Sequence, residues 1–338
     1  MKLIVRAPNW VGDAVMALPA IDNLKKLTAA SHIAVMARKA TAPLFINHPD
    51  IDLVVEIDDK SNKILGPKRA ADAIKGDHFD IGILFPPSFS SALIFKLAGV
   101  TGRVGFDSDN RKIILTRAVK SPAEPMHRMQ SYLYLLEKVT GKKPKAHNPQ
   151  VSLSHEDIQG GEEALGEVGL SYDDAYVAVA PRAIGESRRW GSEKYGNLAR
   201  RIVSELDKKI VLVGTADDSD AAEEIKAFGS DKIFNLCGKT SLRSVAAVLS
   251  FAKLFIGNDS GLAHLAGAVN CPLVVLSGPD DPAETSPVCD AKTVIIKDDL
   301  DCISCVKNKC LLKGDAFMRC MRLITVDEVF DAVTGRMR

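Results

Sequence analysis

Short apolar runs alternate with helix-like segments along nearly the whole chain, and this alternation restricts the fold more than any other feature of the sequence. In the first half, the predicted strands are Leu3–Ala7, His32–Ala37, Leu53–Ile57, Ile81–Phe85 and Arg103–Phe106. In the second half, they are Tyr176–Ala180, Ile210–Val213, Ile233–Leu236, Lys253–Ile256, Pro272–Leu276 and Thr293–Ile296. Strands that alternate with helices predict parallel sheets with helices on both faces.

The first predicted helix, Asp13–Leu27, carries apolar residues at every third position of one face, as an amphipathic helix does. Pro19 lies inside this segment and should kink the helix or mark its first turn. The other predicted helices are Glu156–Val168, Glu193–Leu206, Asp218–Phe228, Leu242–Ser250, Gly261–Ala268 and Val326–Val333.

The alternating pattern occurs twice, and a segment rich in Lys, Pro and His, residues 141–154, separates the two occurrences. A chain of 338 residues is long enough for two hydrophobic cores. The sequence therefore predicts an α/β protein with two Rossmann-like, doubly wound domains, residues 1–153 and 154–338, facing across a cleft. Open parallel sheets bind ligands beyond the carboxyl ends of their strands, so the loops at those ends are the candidate sites.

The charges are distributed unevenly between the two predicted domains. Residues 1–153 carry 22 Lys and Arg against 14 Asp and Glu, a net charge of +8, whereas the remainder carries 22 against 29. The basic domain either faces an anion, such as a phosphorylated substrate or a membrane surface, or merely has a solvated basic surface. The sequence contains neither a membrane-length apolar run nor a signal-peptide pattern, which predicts a cytoplasmic protein.

The loop after the first strand, Pro8–Asp13, is neither a dinucleotide fingerprint nor a P-loop. It provides a glycine for close backbone approach, followed by a carboxylate at the start of a helix. Asp13 is either the N-cap of that helix or a general base, and the two roles are compatible.

The loop 257–264 contains Asp259, Ser260 and Gly261 between a strand and a helix. The start of that helix offers unpaired N–H groups and a positive dipole end to an anion. The alternative is a capped helix with His264 packed on an apolar face.

Two more loops are candidates for nucleotide binding. The loop 181–190 holds Arg182, Ala183 and Arg188, and its three arginines suit a diphosphate, although it could be an exposed basic loop. In the loop 214–218, Asp217 could bind a ribose or cap the next helix. Residues 278–282 have the composition of a turn.

Four cysteines fall within nineteen residues: Cys302, Cys305, Cys310 and Cys320. Their spacing is compatible with a structural zinc ion, but the second pair lacks the CxxC spacing of zinc ribbons. The alternative is a loop with free thiols.

Together these loops resemble glycosyltransferase family 9, the ADP-heptose:lipopolysaccharide heptosyltransferases, and most closely the heptosyltransferase II type. The segments that carry the resemblance follow the family's order and span nearly the whole chain: residues 8–13, 87–93, 188–190, 257–264 and 278–279. The resemblance implies a GT-B fold and an inverting transfer from ADP-L-glycero-D-manno-heptose that requires no cofactor.

The resemblance also implies roles for individual residues. Asp13 matches the catalytic base, and Arg188 falls where members often carry a lysine near the diphosphate. Asp259, Ser260, Gly261 and His264 match the donor-binding loop, to which Arg182, Ala183 and Asp217 are added. The expected acceptor is an anionic glycolipid of the lipid A–Kdo type at the inner membrane leaflet, so the predicted acceptor-binding residues lie in the basic domain: Asn9, Trp10, Arg103, Arg111 and Lys112, with Arg117 and Lys120 as further candidates.

Three other functions are compatible with parts of this pattern. The chain could be a GT-B enzyme that uses another nucleotide sugar, or a non-catalytic two-lobed sugar-binding protein. A nucleic-acid binder ranks last, because aromatic residues make up 6% of the chain and a recognition motif is missing.

Overall fold

The computed structural model describes residues 1–58, 65–229 and 231–337. The chain forms two compact units, Met1–Ser152 and Leu153–Arg338, each built around one sheet. The division falls one residue before the boundary expected from the sequence. Within the described residues, no helix is long and apolar enough to cross a membrane.

The amino-terminal unit contains a parallel sheet in the order β3-β2-β1-β4-β5-β6. Its strands are β1 (Lys2–Arg6), β2 (His32–Arg38), β3 (Leu53–Ile57), β4 (Ile81–Leu84), β5 (Gly102–Phe106) and β6 (Arg117–Val119). Val5 of β1 is in register with Val35 on one side and with Ile83 on the other. The strand order reverses between β1 and β4, so the loops after these two strands flank the position where such sheets bind ligands.

The carboxyl-terminal unit repeats this arrangement in the order β12-β11-β10-β7-β8-β9. Its strands are β7 (Tyr176–Ala180), β8 (Lys209–Leu212), β9 (Ile233–Asn235), β10 (Leu254–Asn258), β11 (Leu273–Leu276) and β12 (Lys292–Ile295). All the described pairings in both sheets are parallel, as the sequence predicts. Here the order reverses between β7 and β10, which brings the loops 181–190 and 259–260 to the reversal point.

Helices connect and cover the strands. In chain order, α1 to α13 are Val11–Asp22, Leu24–Leu27, Leu65–Asp72, Phe89–Leu97, Arg128–Thr140, His155–Gly166, Ser192–Leu206, Ser219–Lys226, Leu242–Phe251, Gly261–Ala268, Pro282–Thr285, Arg319–Arg322 and Val326–Met337. Short 3-10 turns occur at Ala42–Phe45, Arg111–Ile113, Glu186–Arg188, Ala216–Asp218 and Gly314–Ala316.

The first helix differs from its prediction at both ends. Trp10 occupies the N-cap position, so Asp13 lies in the first turn rather than at the cap. Three residues after Pro19, the helix ends at Asp22, and the Asn23 side chain donates to the Pro19 carbonyl at 2.7 Å. A proline cannot donate to the carbonyl four residues before it, so α1 lacks the hydrogen bond from Pro19 to Val15; a second short helix, α2, follows Asn23.

An ion pair and a close helix contact stabilise the start of the carboxyl-terminal unit. Asp157 and Ser154 form a capping box at the start of α6, and Asp157 also pairs with Arg243 of α9. Gly161 of α6 packs so tightly on Ala247 that a Cβ at this glycine would collide with the alanine. The two helices therefore approach each other closely beside the sheet.

Candidate active site

A buried asparagine joins the two loops at the reversal point of the second sheet. Asn258 is fully buried at the end of β10. Its Nδ2 donates to the Pro181 carbonyl at 3.0 Å, and its Oδ1 accepts from the Trp190 backbone N–H at 3.2 Å. Asn258 thereby fixes the loop 181–190 beside the start of α10, a role that its position after a strand does not reveal in the sequence.

Three buried polar atoms lie at the start of α10. Asp259 Oδ2, Ser260 Oγ and His264 Nδ1 each lack a hydrogen-bond partner among the residues that the structure describes. Asp259 Oδ1 lies 3.7 Å from His264 Nε2, Ser260 is the N-cap residue of α10, and Gly261 begins the helix. A buried polar group without a partner costs about 1–3 kcal/mol, so the cluster is suited to a polar ligand. The structure thus brings together the four residues predicted for the donor loop.

Arg188 is held by a carboxylate that sequence analysis assigned only to a turn. Its Nε and Nη2 donate to the two carboxylate oxygens of Asp280, and its Nη1 donates to Asn308 Oδ1 at 2.8 Å. The two ion-paired side chains are only 22% and 8% exposed. The hydrogen bonds that Arg188 donates to Asp280 raise the pKa of Arg188 despite burial, with a smaller contribution from the charge of Asp259. Arg188 is therefore a fixed cation at the edge of the donor-loop cluster.

The remaining predicted donor residues lie at the same edge of the sheet. Arg182 Nη1 donates to the Asp217 carbonyl at 3.2 Å, which connects the loops after β7 and β8. Ala183 is buried, and its carbonyl accepts from Arg189 Nε at 2.9 Å. Of the two neighbouring aspartates, Asp218 forms a capping box with the start of its 3-10 turn, whereas the side chain of Asp217 is exposed.

In the amino-terminal unit, Asp13 lies beside a cation that sequence analysis missed. Its side chain is partly exposed, and its Oδ1 is 3.7 Å from Nε of Arg128, the first residue of α5. Burial, and then the negative charge of Asp13, raise the pKa of Tyr132 well above its ordinary value. Asp13 thus lies between a guanidinium and a buried, neutral phenol. The sequence contains no local signal that α5 would return to the start of α1.

Asn9 and Trp10, in the loop between β1 and α1, differ in how freely their side chains can contact a ligand. Arg6 is buried beneath the loop, and its Nη2 donates to Asn9 Oδ1 at 2.7 Å. This bond turns the amide oxygen of Asn9 inward and fixes the side chain. Trp10 is 53% exposed and is accessible to a ligand.

Arg111, which sequence analysis placed among the acceptor contacts, is fully buried. Its Nε donates to the Phe106 carbonyl at 2.9 Å, and its Nη1 donates to the Pro86 carbonyl and to Ser91 Oγ. Burial lowers the pKa of Arg111 to about 10 against the opposing charges of nearby aspartates. A guanidinium at this depth supports the loop that precedes α4 from beneath.

The other basic candidates differ in accessibility. Arg103 uses its guanidinium to bind the Ile114 and Val100 carbonyls, and Arg117 binds the Val139 carbonyl. Lys112 is exposed, with its Nζ 3.9 Å from Asp107 Oδ2. Lysines such as Lys112 therefore have more freedom to contact an anionic ligand than the arginines do.

The four clustered cysteines do not form a recognisable metal site. Among the described residues, no group of three or more His, Cys, Asp or Glu side chains could hold a metal ion. Burial raises the pKa of Cys320, Cys302 packs against the core of the unit, and Cys305 is exposed. The Cys310 sulfur accepts the Met318 backbone N–H at 3.3 Å. The structure therefore lends no support to the zinc ion that the cysteine spacing suggested.

Comparison with known proteins agrees with the geometry of both units. Residues 68–315 match the family model described as glycosyltransferase family 9 (heptosyltransferase). The chain is 29% identical over 307 residues to lipopolysaccharide heptosyltransferase 2 of Salmonella typhimurium, which covers 87% of this chain and 88% of the relative.

Solved structures are similar over the whole length. The chain resembles the E. coli ADP-heptose lps heptosyltransferase II with a TM-score of 0.82 and 26% identity, over 100% of this chain and 98% of the other. A glycosyl transferase family 9 structure from Veillonella parvula has a TM-score of 0.88 at 21% identity, over 99% and 97% of the two chains. The α/β fold class of the GT-B type predicted from the sequence is confirmed.

Proposed function

The chain belongs to glycosyltransferase family 9 (heptosyltransferase), and from this premise we propose that it transfers L-glycero-D-manno-heptose from ADP-heptose to the inner core of lipopolysaccharide, with inversion at the anomeric carbon. Relatives named heptosyltransferase 2 over most of the chain support this proposal. The observation that carries it is the cluster of partnerless buried polar atoms at the start of α10. Such a cluster has the hydrogen-bonding capacity that a hydroxyl-rich, phosphorylated donor requires.

The donor would bind with its diphosphate at the amino terminus of α10. Free N–H groups and the Ser260 hydroxyl there can bind phosphate oxygens, and the helix dipole favours negative charge. Asp259 and His264 can exchange hydrogen bonds with sugar hydroxyls. The loops that hold Arg182, Ala183 and Asp217 would line the nucleoside side of the site.

Asp13 would act as the general base. In this scheme the acceptor hydroxyl attacks the anomeric carbon on the face opposite the leaving ADP, and Asp13 accepts the hydroxyl proton. Such general-base assistance is typically worth about 10²–10⁴-fold in rate. Arg128 Nε lies 3.7 Å from Asp13 Oδ1 and would compensate the negative charge of the carboxylate before the substrate arrives.

Charge that develops on the leaving β-phosphate would be stabilised by the amino terminus of α10 and by Arg188. Donors that are positioned before the reaction stabilise a developing oxyanion without further reorganisation. Both elements belong to the protein, so the proposal requires no catalytic cofactor.

The acceptor would be an anionic glycolipid of the lipid A–Kdo type, bound by the basic amino-terminal unit at the cytoplasmic leaflet of the inner membrane. The charge of +8 on residues 1–153 supports this assignment. Asn9, Trp10 and Lys112 are the accessible candidates for acceptor contacts, whereas Arg103 and Arg111 would support the surrounding loops.

The test is isothermal titration calorimetry with ADP, ADP-heptose and UDP, first without metal and then with Mg²⁺. We expect metal-independent binding of the ADP compounds in preference to UDP. Asp13→Asn should retain this donor affinity and lose transfer by at least about 100-fold. Lys112→Gln is the matched variant in the same unit and should raise the acceptor KM without loss of kcat.

Two outcomes would contradict the proposal. A preference for UDP would indicate another nucleotide-sugar donor on the same fold. If Asp13→Asn weakened donor binding as much as it weakened transfer, the Asp13 carboxylate would stabilise the start of α1 and would not be the proton acceptor.

A further inference from the structure

A short segment of the carboxyl-terminal unit combines positive charge with exposed apolar side chains. Residues 306–317, the lysine-rich segment, contain Lys307, Lys309 and Lys313 against a single acidic residue, Asp315. Four of the fourteen exposed large apolar side chains found among the described residues fall within these twelve positions: Val306, Leu311, Leu312 and Phe317. Scattered exposed apolar residues are normal on a protein surface, but several in one short segment beside three lysines favour an interaction site.

The apolar side chains of the lysine-rich segment are exposed although hydrogen bonds hold the segment in place. The Val306 N–H donates to the Pro279 carbonyl at 2.7 Å, and the Ser187 N–H donates to the Asn308 carbonyl at 3.1 Å. These contacts hold the segment's first residues against the loops 185–188 and 278–282. Leu311 nevertheless remains 76% exposed and Val306 66% exposed.

We infer that the lysine-rich segment docks this unit on an anionic lipid surface. Leucine, valine and phenylalanine side chains can enter the interface between headgroups and acyl chains, while lysines extend their ammonium groups to the phosphates. Each lysine near such a surface contributes about 1 kcal/mol, which is enough for weak, reversible attachment when several act together. A nucleic-acid partner is less well matched, because Phe317 is the only aromatic residue in the segment.

The commitment to lipid rests on the proposed function, in which the acceptor is anchored in a membrane. Through Ser187 and Pro279, the segment is bonded to the two loops that also hold Arg188 and Asp280. Docking by the segment would place the loops that hold Arg188 and Asp280 at the membrane surface that carries the acceptor. This contact is separate from the basic surface of the amino-terminal unit.

The test is co-sedimentation of the full chain with phosphatidylcholine vesicles, with and without about one quarter phosphatidylglycerol. We expect binding only to the anionic vesicles, and weaker binding at high salt. The triple variant Lys307→Gln, Lys309→Gln, Lys313→Gln should reduce vesicle affinity by up to about a hundredfold, and Leu311→Ser by up to about tenfold.

Matched variants remove the same groups elsewhere in the same unit. Lys226→Gln, Lys239→Gln, Lys253→Gln takes away three exposed lysines, and Tyr172→Ser truncates an apolar residue that precedes β7 and is 48% exposed. These controls should change vesicle affinity no more than a few-fold. Equal losses in the controls, equal binding to neutral vesicles, or no binding to anionic vesicles would each overturn the inference.

A second readout separates this inference from the proposed function. The segment variants should retain ADP-heptose binding and transfer to a delipidated, water-soluble acceptor. If the chain docks on vesicles but neither binds nor transfers the donor, the proposed function fails and the docking surface stands. If transfer is normal and the segment variants still dock, only the docking inference fails.

Discussion

Replacement of Asp280 by alanine tests whether the Arg188–Asp280 ion pair stabilises the carboxyl-terminal unit. Removal of one partner from a buried ion pair costs about 3–5 kcal/mol, because the other charge is left without compensation. Here the Arg188 side chain is 22% exposed and its Nη1 keeps Asn308, so water and the amide recover part of that loss. We therefore expect the carboxyl-terminal unit to lose about 2–3 kcal/mol of its free energy of unfolding.

The assay is equilibrium urea unfolding followed by the fluorescence of Trp190, which is buried in this unit. The chain has two tryptophans, so a Trp10→Phe background isolates the signal. Glu224→Ala removes an exposed carboxylate from α8 of the same unit and should stay within about 0.5 kcal/mol of the parent.

A double-mutant cycle decides whether the pair is the cause. In an Arg188→Met background, Asp280→Ala should cost much less, because the uncompensated cation is already gone. If the cost is unchanged in that background, or if Asp280→Ala costs less than about 0.5 kcal/mol in the parent, the reasoning about a compensated buried charge is wrong.

Two further predictions concern buried charges. Asp157, whose pKa the hydrogen bond from Arg243 lowers from 3.8 to about 2, should contribute about 2 kcal/mol that is fully present above pH 4 and is lost as the pH falls through about 2. Urea unfolding across this range should therefore show the difference between the parent and Asp157→Asn disappearing at low pH, and a difference that persists there would refute the ion-pair account. Arg111→Gln should destabilise the amino-terminal unit by about 2 kcal/mol through the carbonyls that it leaves without donors, whereas its exposed neighbour Lys112→Gln should leave thermal stability unchanged.

The positions of the candidate loops could be predicted from the sequence because the central strands are continuous apolar runs. Such strands must lie inside parallel sheets, and their carboxyl-end loops then gather at one edge. For this reason the loop that holds Asp259, Ser260, Gly261 and His264 was predicted at this edge of the sheet, although the sequence left a capped helix start as the alternative. The short edge strand β6 was missed because it has three residues and begins with an exposed arginine.

The partners of the charged residues could not be predicted, because they come from distant parts of the chain. Asp280 is 92 residues from Arg188, and its surroundings read only as a turn. Arg111 belongs to a polar run that is typical of a surface. Its guanidinium nevertheless lies in the interior, where it donates to carbonyls near the ends of β4 and β5. Sequence shows which residues can carry charge, whereas tertiary contacts decide which of those charges face solvent.

The Arg188–Asp280 pair also changes how the leaving group would be stabilised. An arginine alone would bring a full positive charge to the diphosphate, but the bidentate carboxylate makes the pair nearly neutral at a distance. The N–H groups of Arg188 are still held in one orientation, so Arg188 would orient the diphosphate more than it would attract it electrostatically. Most of the electrostatic stabilisation of the leaving group would then come from the amino terminus of α10. Among the described residues, its backbone N–H groups and helix dipole act there without a compensating carboxylate bonded to them. Asp280 would thus exchange long-range attraction of the donor for a fixed orientation of Arg188 at the proposed diphosphate site.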